Sequence, residues 1–90
     1  MKISDKKKEK IFEQILAVLY SNNLKPLFTY EVAQEIARDE EFIKRLLLEL
    51  LNKKLVSKID KNPKGIPYIR RARWKLTNVI YQTYKKHQNI

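Results

Sequence analysis

Apolar and polar positions follow one period through the first half of the chain and another after it. From about Asp5 to Asn22, apolar residues recur at Ile11, Ile15 and Val18, with a second row at Phe12, Leu16 and Leu19. Spacings of three and four place both rows on adjoining faces of a helix, with Lys10, Glu13 and Gln14 opposite. Asp5 and Glu9 suit the positive end of that helix. Ser21-Asn22-Asn23 ends it with turn-forming residues, and Pro26 prevents early resumption. Leu27-Phe28 is a short extended piece. Thr29 is then placed to cap a second helix, about Tyr30 to Arg38, with Glu31 in its first turn and Val32, Ala33, Ile36 and Ala37 as its apolar stripe. Asp39 caps a third helix, from Glu40 to about Asn52 or Lys53. Ile43, Leu47, Leu50 and Leu51 share one of its faces, flanked by Leu46, while Lys44, Arg45, Leu48 and Glu49 point mostly away.

Beyond Lys53 the period drops to two. Leu55, Ser57 and Ile59 alternate with Val56, Lys58 and Asp60, the pattern of a strand. Lys61-Asn62-Pro63-Lys64-Gly65 is a turn, and a second strand is predicted from about Tyr68 to Leu76. Tyr68, Arg70, Ala72, Trp74 and Leu76 share one face of it; Ile69, Arg71, Arg73 and Lys75 share the other. Pro67 belongs at a strand start or edge, because it has no N–H to give a ladder. Thr77 is placed to cap a last helix from Asn78 to about His87, with Ile80, Tyr81 and Tyr84 as its stripe. The pattern predicts a mainly α fold with a small β-hairpin. It forms a single domain over residues 1–90, with a core at about 5–87, a hairpin at about 55–76 and a C-terminal helix at about 78–87.

Charge changes this picture more than composition does. Of twenty basic and ten acidic side chains, eleven basic ones but only one acid, Asp60, lie in residues 53–90. That stretch therefore carries all of the net charge of +10. A basic field confined to one part of a small domain is an electrostatic footprint for a polyanion. Three of these cations are the closely spaced Arg70, Arg71 and Arg73, and arginine suits bidentate contact with phosphate or guanine. The plainer use of such a surface is solubility. Cysteine is absent and histidine occurs once, at His87, so neither a disulfide framework nor a thiolate metal site is expected. A single glycine cannot build a phosphate-cradling loop. Ser4, Ser21 and Ser57 have no base nearby in sequence, and Glu31 with Glu35 reads as a solvated face. An enzyme, a metal and a cofactor are all unexpected. No apolar run approaches about 18 residues, so no membrane span is expected. The Lys-rich start lacks the features of a secretory signal, which leaves the cytoplasm as the default location. Abundant Lys, Glu and Ile hint at a thermophilic source.

Three stretches resemble the winged helix-turn-helix family of transcription regulators, over about Ile11 to Tyr84. Thr29-Tyr30-Glu31-Val32-Ala33-Gln34-Glu35-Ile36-Ala37 is similar to the first helix of the helix-turn-helix unit. Ile43 to Leu50, followed by Leu55-Val56, is similar to a recognition helix leading into the wing. Trp74-Lys75-Leu76-Thr77 resembles the aromatic-x-Leu-Thr step into the final helix. Such regulators usually have glycine where this chain has Lys54; either a lysine takes that left-handed geometry, at a cost on the order of 1 kcal/mol, or Asn52 ends the helix instead.

The resemblance implies that the third helix, 40–53, lies in the major groove of duplex DNA and that the hairpin reaches along the backbone or into a neighbouring minor groove. Thr29, Tyr30, Glu41, Lys44, Arg45 and Leu48 are the candidate contacts from the helices. Lys44 and Arg45 suit base edges or phosphates, and Leu48 suits a thymine methyl or a partner protein. Glu41 belongs to an acidic start, Asp39 to Glu41, whose carboxylates either favour the helix N-terminus or accept from a cytosine amine. Lys58, Lys61, Lys64, Arg70, Arg71 and Arg73 are expected to project from the hairpin onto phosphates. Trp74 is read either as a base-stacking residue or as core, with Tyr68 the more exposed aromatic. Phe12, Leu16, Ile80, Tyr81 and Tyr84 either form a homodimer contact or pack the last helix over the first. An RNA or single-strand binder, an architectural protein without sequence specificity and a protein-interaction module are the alternatives to a DNA-binding regulator.

Overall fold

The computed structural model describes residues 5–60, 64 and 72–88. The elements are α1 (Asp5–Ser21), β1 (Leu27–Phe28), α2 (Thr29–Ile36), α3 (Glu40–Asn52), β2 (Val56–Ile59), β3 (Arg73–Leu76) and α4 (Asn78–Gln88). Helix α1 buries Ile11, Ile15 and Leu19. Val32 and Ala33 of α2, Ile43, Leu46, Leu47 and Leu50 of α3, and Val56, Trp74 and Leu76 of the sheet complete one hydrophobic cluster with Leu27. Each large aliphatic side chain so buried contributes roughly 1.5–3 kcal/mol. Val18, expected in the main row of α1, is only partly buried, and Leu19 takes the inner position.

The extended piece after Pro26 does more than connect. It pairs antiparallel with β3, Leu27 opposite Trp74 and Phe28 opposite Arg73. On its other side β3 pairs with β2, from Val56 opposite Leu76 to Ile59 opposite Arg73. The expected two-stranded hairpin is therefore part of a three-stranded sheet in the order β1-β3-β2.

One helix end departs from its expected place, and the end of α3, which falls at Asn52 as expected, is closed by the same device. Helix α2 stops at Ile36, not Arg38, because Ala37 takes the left-handed conformation (φ 60°, ψ 47°) and the Arg38 N–H donates to the Ala33 carbonyl. Helix α3 ends the same way: Lys54 has φ 62°, its N–H donates to Leu51 O, and the Leu55 N–H donates to Leu50 O. Leu55 thus closes the helix, which is why β2 begins only at Val56. Of the two possibilities the sequence left open, the structure takes the first: Lys54 itself holds the left-handed position that favours glycine.

Two expected caps also take other roles. Thr29 is the first residue of α2 rather than its cap. Extended Phe28 precedes the helix, and the Glu31 carboxylate accepts the Phe28 N–H at 2.8 Å. Thr77 precedes α4 as expected, its carbonyl accepting the Tyr81 N–H, but its hydroxyl lies within hydrogen-bonding reach of the Lys54 and Leu55 carbonyls, at 3.3 and 3.4 Å. The Thr77 N–H also donates to Leu55 O. Thr77 therefore ties the end of β3 to the αL turn after α3.

Helix α4 packs on α1 through aromatic contacts. Tyr20 lies 5.5 Å from Tyr81 and 5.6 Å from Tyr84, centroid to centroid. Burial, reinforced by the charge of Glu13, pushes the Tyr84 phenol above its ordinary 10.0.

Two outcomes are expected. Lys54→Gly should relieve the αL strain and stabilise the fold by about 1 kcal/mol in denaturant unfolding. The raised Tyr84 value means that the folded state holds this proton longer than the unfolded chain does. Its contribution is complete below pH 10.0 and is lost as pH rises through the folded value. Alkaline unfolding titrations should therefore show a stability loss above that pH which Tyr84→Phe diminishes.

Candidate nucleic-acid interface

The outward face of α3 is set at its N-terminus. Asp39 is extended (φ −61°, ψ 135°) and its carboxylate accepts the Phe42 N–H at 3.1 Å. One of the three opening acids is thereby a helix cap. Glu40 and Glu41 stay exposed, where they also suit the positive helix end. Burial of Ile43, Leu46, Leu47 and Leu50 turns Lys44, Arg45 and Leu48 outward, and Leu48 is 42% exposed despite being apolar. A third face of α3 meets α1. Glu49 pairs with Lys8 at 2.7 Å, and Lys8 and Lys53 hold their ammonium groups 5.7 and 5.1 Å from the centre of the Phe12 ring.

Lys58 faces the same side as the outer surface of α3. It is exposed on β2, opposite Trp74 in register. Between sheet and helix lies a groove of 220 Å³, bordered by Thr29, Glu40, Glu41, Lys44, Leu48, Lys58, Ala72 and Trp74. Four charged side chains, two of each sign, thus surround a mixed polar and apolar floor. Such a surface can meet phosphates with its lysines and a base edge with Glu41, Lys44 or Leu48. Lys64 is exposed in the hairpin turn. Lys61, Arg70, Arg71 and Tyr68 lie outside the described residues.

Arg73 does not project freely as expected of the hairpin cations. It is half-buried, donates from Nη1 to the Pro26 carbonyl at 3.3 Å, and places its guanidinium 4.3 Å above the Phe28 ring. The reason is the strand order: as part of the central strand, Arg73 has Phe28 beside it, and a flat cation stacks well on that ring. Trp74 is core, 2% exposed, and its indole N–H donates to Thr29 Oγ1 at 2.9 Å. Tyr30 is half-buried and stacks on Phe28, with centroids 5.8 Å apart. Sequence reasoning missed Phe28 and the Pro26 carbonyl. It had a usable signal for the Thr29 contact, since a buried indole N–H needs an acceptor.

The residues considered for a dimer contact lie along α1 and α4. Phe12, Leu16, Ile80 and Tyr81 are partly buried against the core of their own chain, and Tyr84 stacks on Tyr20. Val79, on the outer side of α4, is 74% exposed. Among the described residues no three His, Cys, Asp or Glu are placed to hold a metal ion. Nor, among those residues, is any helix long and apolar enough to cross a membrane.

No protein-family model matches the sequence, and no curated protein does. Solved structures do resemble the fold. MepR, a transcription regulator of the Staphylococcus aureus multidrug efflux pump MepA, superposes with a TM-score of 0.69 at 19% identity, over 88% of this chain and 54% of that one. The chain has the winged helix-turn-helix fold. The S. aureus MepR–DNA complex gives the same TM-score, 0.69, at 21% identity, over 93% of this chain and 69% of that one. A variant of ZitR from Lactococcus lactis in its apo form matches at 0.64 and 16% identity, over 90% of this chain and 58% of that one. The chain spans 54% of the length of one MepR chain it matches and 69% of the other. In this fold α2 and α3 are the helix-turn-helix pair, and the β2–β3 hairpin is the wing.

Proposed function

We propose that this chain is a small DNA-binding transcription regulator and not an enzyme. In this reading it acts in the cytoplasm, as one winged-helix domain. Helix α3 enters the major groove of duplex DNA, and the wing follows the phosphate backbone. The observation that carries the reading is that Lys44 and Leu48 of α3 and Lys58 of the wing border one groove, in a chain whose whole net charge of +10 falls in residues 53–90. The existence of a DNA complex of MepR, a protein of the same fold, supports it.

Each residue has a distinct part in the proposal. Lys44 and Arg45 meet guanine edges or phosphates, Leu48 meets a thymine methyl, and Glu41 accepts from a cytosine amine. Tyr30, at the start of α2, faces the backbone. Lys58 and Lys64, with Lys61, Arg70 and Arg71, neutralise phosphates and provide affinity without reading sequence. A second copy of the chain is the proposed partner of the α1–α4 surface, through Phe12, Leu16, Ile80, Tyr81 and Tyr84.

Duplex binding measured against salt tests the DNA reading. The logarithm of affinity should fall with the logarithm of salt at a slope of about −0.9 for each phosphate neutralised. Lys58→Ala should reduce that slope by about 1. Affinity that stays flat with salt, or tighter binding to RNA or single strands than to duplex, would overturn the proposal. Light scattering at rising concentration tests the pairing: a dimer is expected, and a monomer throughout removes that part of the proposal.

A further inference from the structure

We infer that Thr29 and Arg73 are positioning residues: together they lock the central strand of the sheet, and with it the wing, to the N-terminal end of α2. The inference rests on the DNA-binding reading above and deepens it. Two consecutive residues of β3 carry the lock. Trp74 points into the core and donates its indole N–H to Thr29 Oγ1 at 2.9 Å. Arg73, next in the strand, points to the opposite face. There its guanidinium lies 4.3 Å over Phe28 and donates to the Pro26 carbonyl at 3.3 Å. Phe28 in turn stacks on Tyr30, its centroid 5.8 Å away and the rings inclined by 14°. A column of guanidinium, phenyl and phenol therefore runs from β3 over β1 to the first turn of α2.

The two attachments sit on opposite faces of one strand, so β3 cannot twist about its own axis without breaking one of them. They also sit at the level where the wing begins. Trp74 and Arg73 are the register partners of Lys58 and Ile59 on β2. Fixing β3 here fixes where Lys58 stands relative to Lys44 and Leu48 across the groove. Both contacts span long sequence separations, 45 residues for Thr29 to Trp74 and 47 for Pro26 to Arg73. Local structure alone therefore does not set the angle between the wing and the helix-turn-helix pair. The half-buried, stacked guanidinium of Arg73 acts on DNA through the placement of the wing.

The test uses the full chain in four forms: wild type, Thr29→Val, Thr29→Ser and Arg73→Lys. Valine keeps the shape of threonine and loses the acceptor, whereas serine keeps the acceptor. Lysine keeps the charge of Arg73 and loses the flat stacking group. Trp74 is the chain's one tryptophan, so acrylamide quenching of its emission reports the seat of β3 in the free protein. Duplex affinity is then followed against salt for the folded fraction of each form. T29V and R73K should raise quenching, weaken duplex binding by about three- to tenfold, and flatten the salt slope by about 1 or more as wing cations leave their phosphates. T29S should behave as wild type.

A merely stabilising role would leave the affinity and slope of the folded fraction unchanged, and a direct neutral hydrogen bond from Thr29 to phosphate would lower binding without moving the slope. Unchanged slopes in T29V and R73K overturn the inference, as does unchanged quenching. A wild-type chain that fails to bind duplex DNA at low salt overturns the DNA-binding reading instead, and the quenching result then decides the lock by itself.

Discussion

Trp74 is the largest of the fully buried side chains described, and its indole N–H has to be bonded where it is buried. An unbonded donor in such a place costs about 1–3 kcal/mol, a sizeable part of the stability of a small domain. The Thr29 hydroxyl supplies the acceptor, which requires the start of α2 to lie against the middle of β3. Strand β1, immediately before α2, is thereby brought alongside β3, and the sheet gains its third strand. The core of α1 and α3 side chains then closes over the face that carries Trp74, Leu76 and Val56.

The opposite end of β3 is bound with equal economy of means. Thr77 follows Leu76 directly, and its N–H and hydroxyl meet the carbonyls of Leu55 and Lys54. The αL turn at Lys54 presents those carbonyls. A residue conformation that is unfavourable for lysine is thus held by the Schellman-type bonds that end α3 and by the strand that returns beside it. The sheet is consequently tied to both helices of the pair: to the end of α3 at Lys54–Thr77 and to the start of α2 at Thr29–Trp74. The outer face of α3 meets Lys58 across the groove that both border.

Electrostatics divides the surface in a way that geometry alone does not. The basic excess belongs to the wing half, whereas the start of α3 carries Asp39, Glu40 and Glu41. Asp39 is accounted for as a cap. Glu40 and Glu41 remain at the groove with Lys44 and Lys58, so charge there is mixed, whereas the basic excess falls in sequence after Asn52. In the proposed DNA-bound arrangement this would give affinity from the wing and selectivity from the helix, because a carboxylate tolerates few groups in the groove besides a donor amine.

Much of this was legible in the residues themselves. The 3.6-residue period of α1 and α3, the cap at Asp39, the alternation at Val56–Ile59 and the concentration of charge after Lys53 depend on neighbours in sequence, and each identified its element or its region. The outward turn of Lys44, Arg45 and Leu48 followed from the same periodicity. The sequence also marked Lys54 as a residue in a glycine's place. What it could not determine was set by contacts between residues far apart in the chain. Periodicity placed Arg73 on the outer face of its strand but not beside Phe28, because that pairing exists only once β1 joins the sheet. Thr29 and Thr77 each stood one residue before a run of helical character, where a cap is the local choice; a buried indole and two αL-turn carbonyls offered their hydroxyls other partners. Local sequence determined the elements and their charged faces, since these depend on backbone preference and solvent exposure. Tertiary structure decided which hydroxyls, rings and cations meet, since a buried polar group must find its partner wherever the fold brings one.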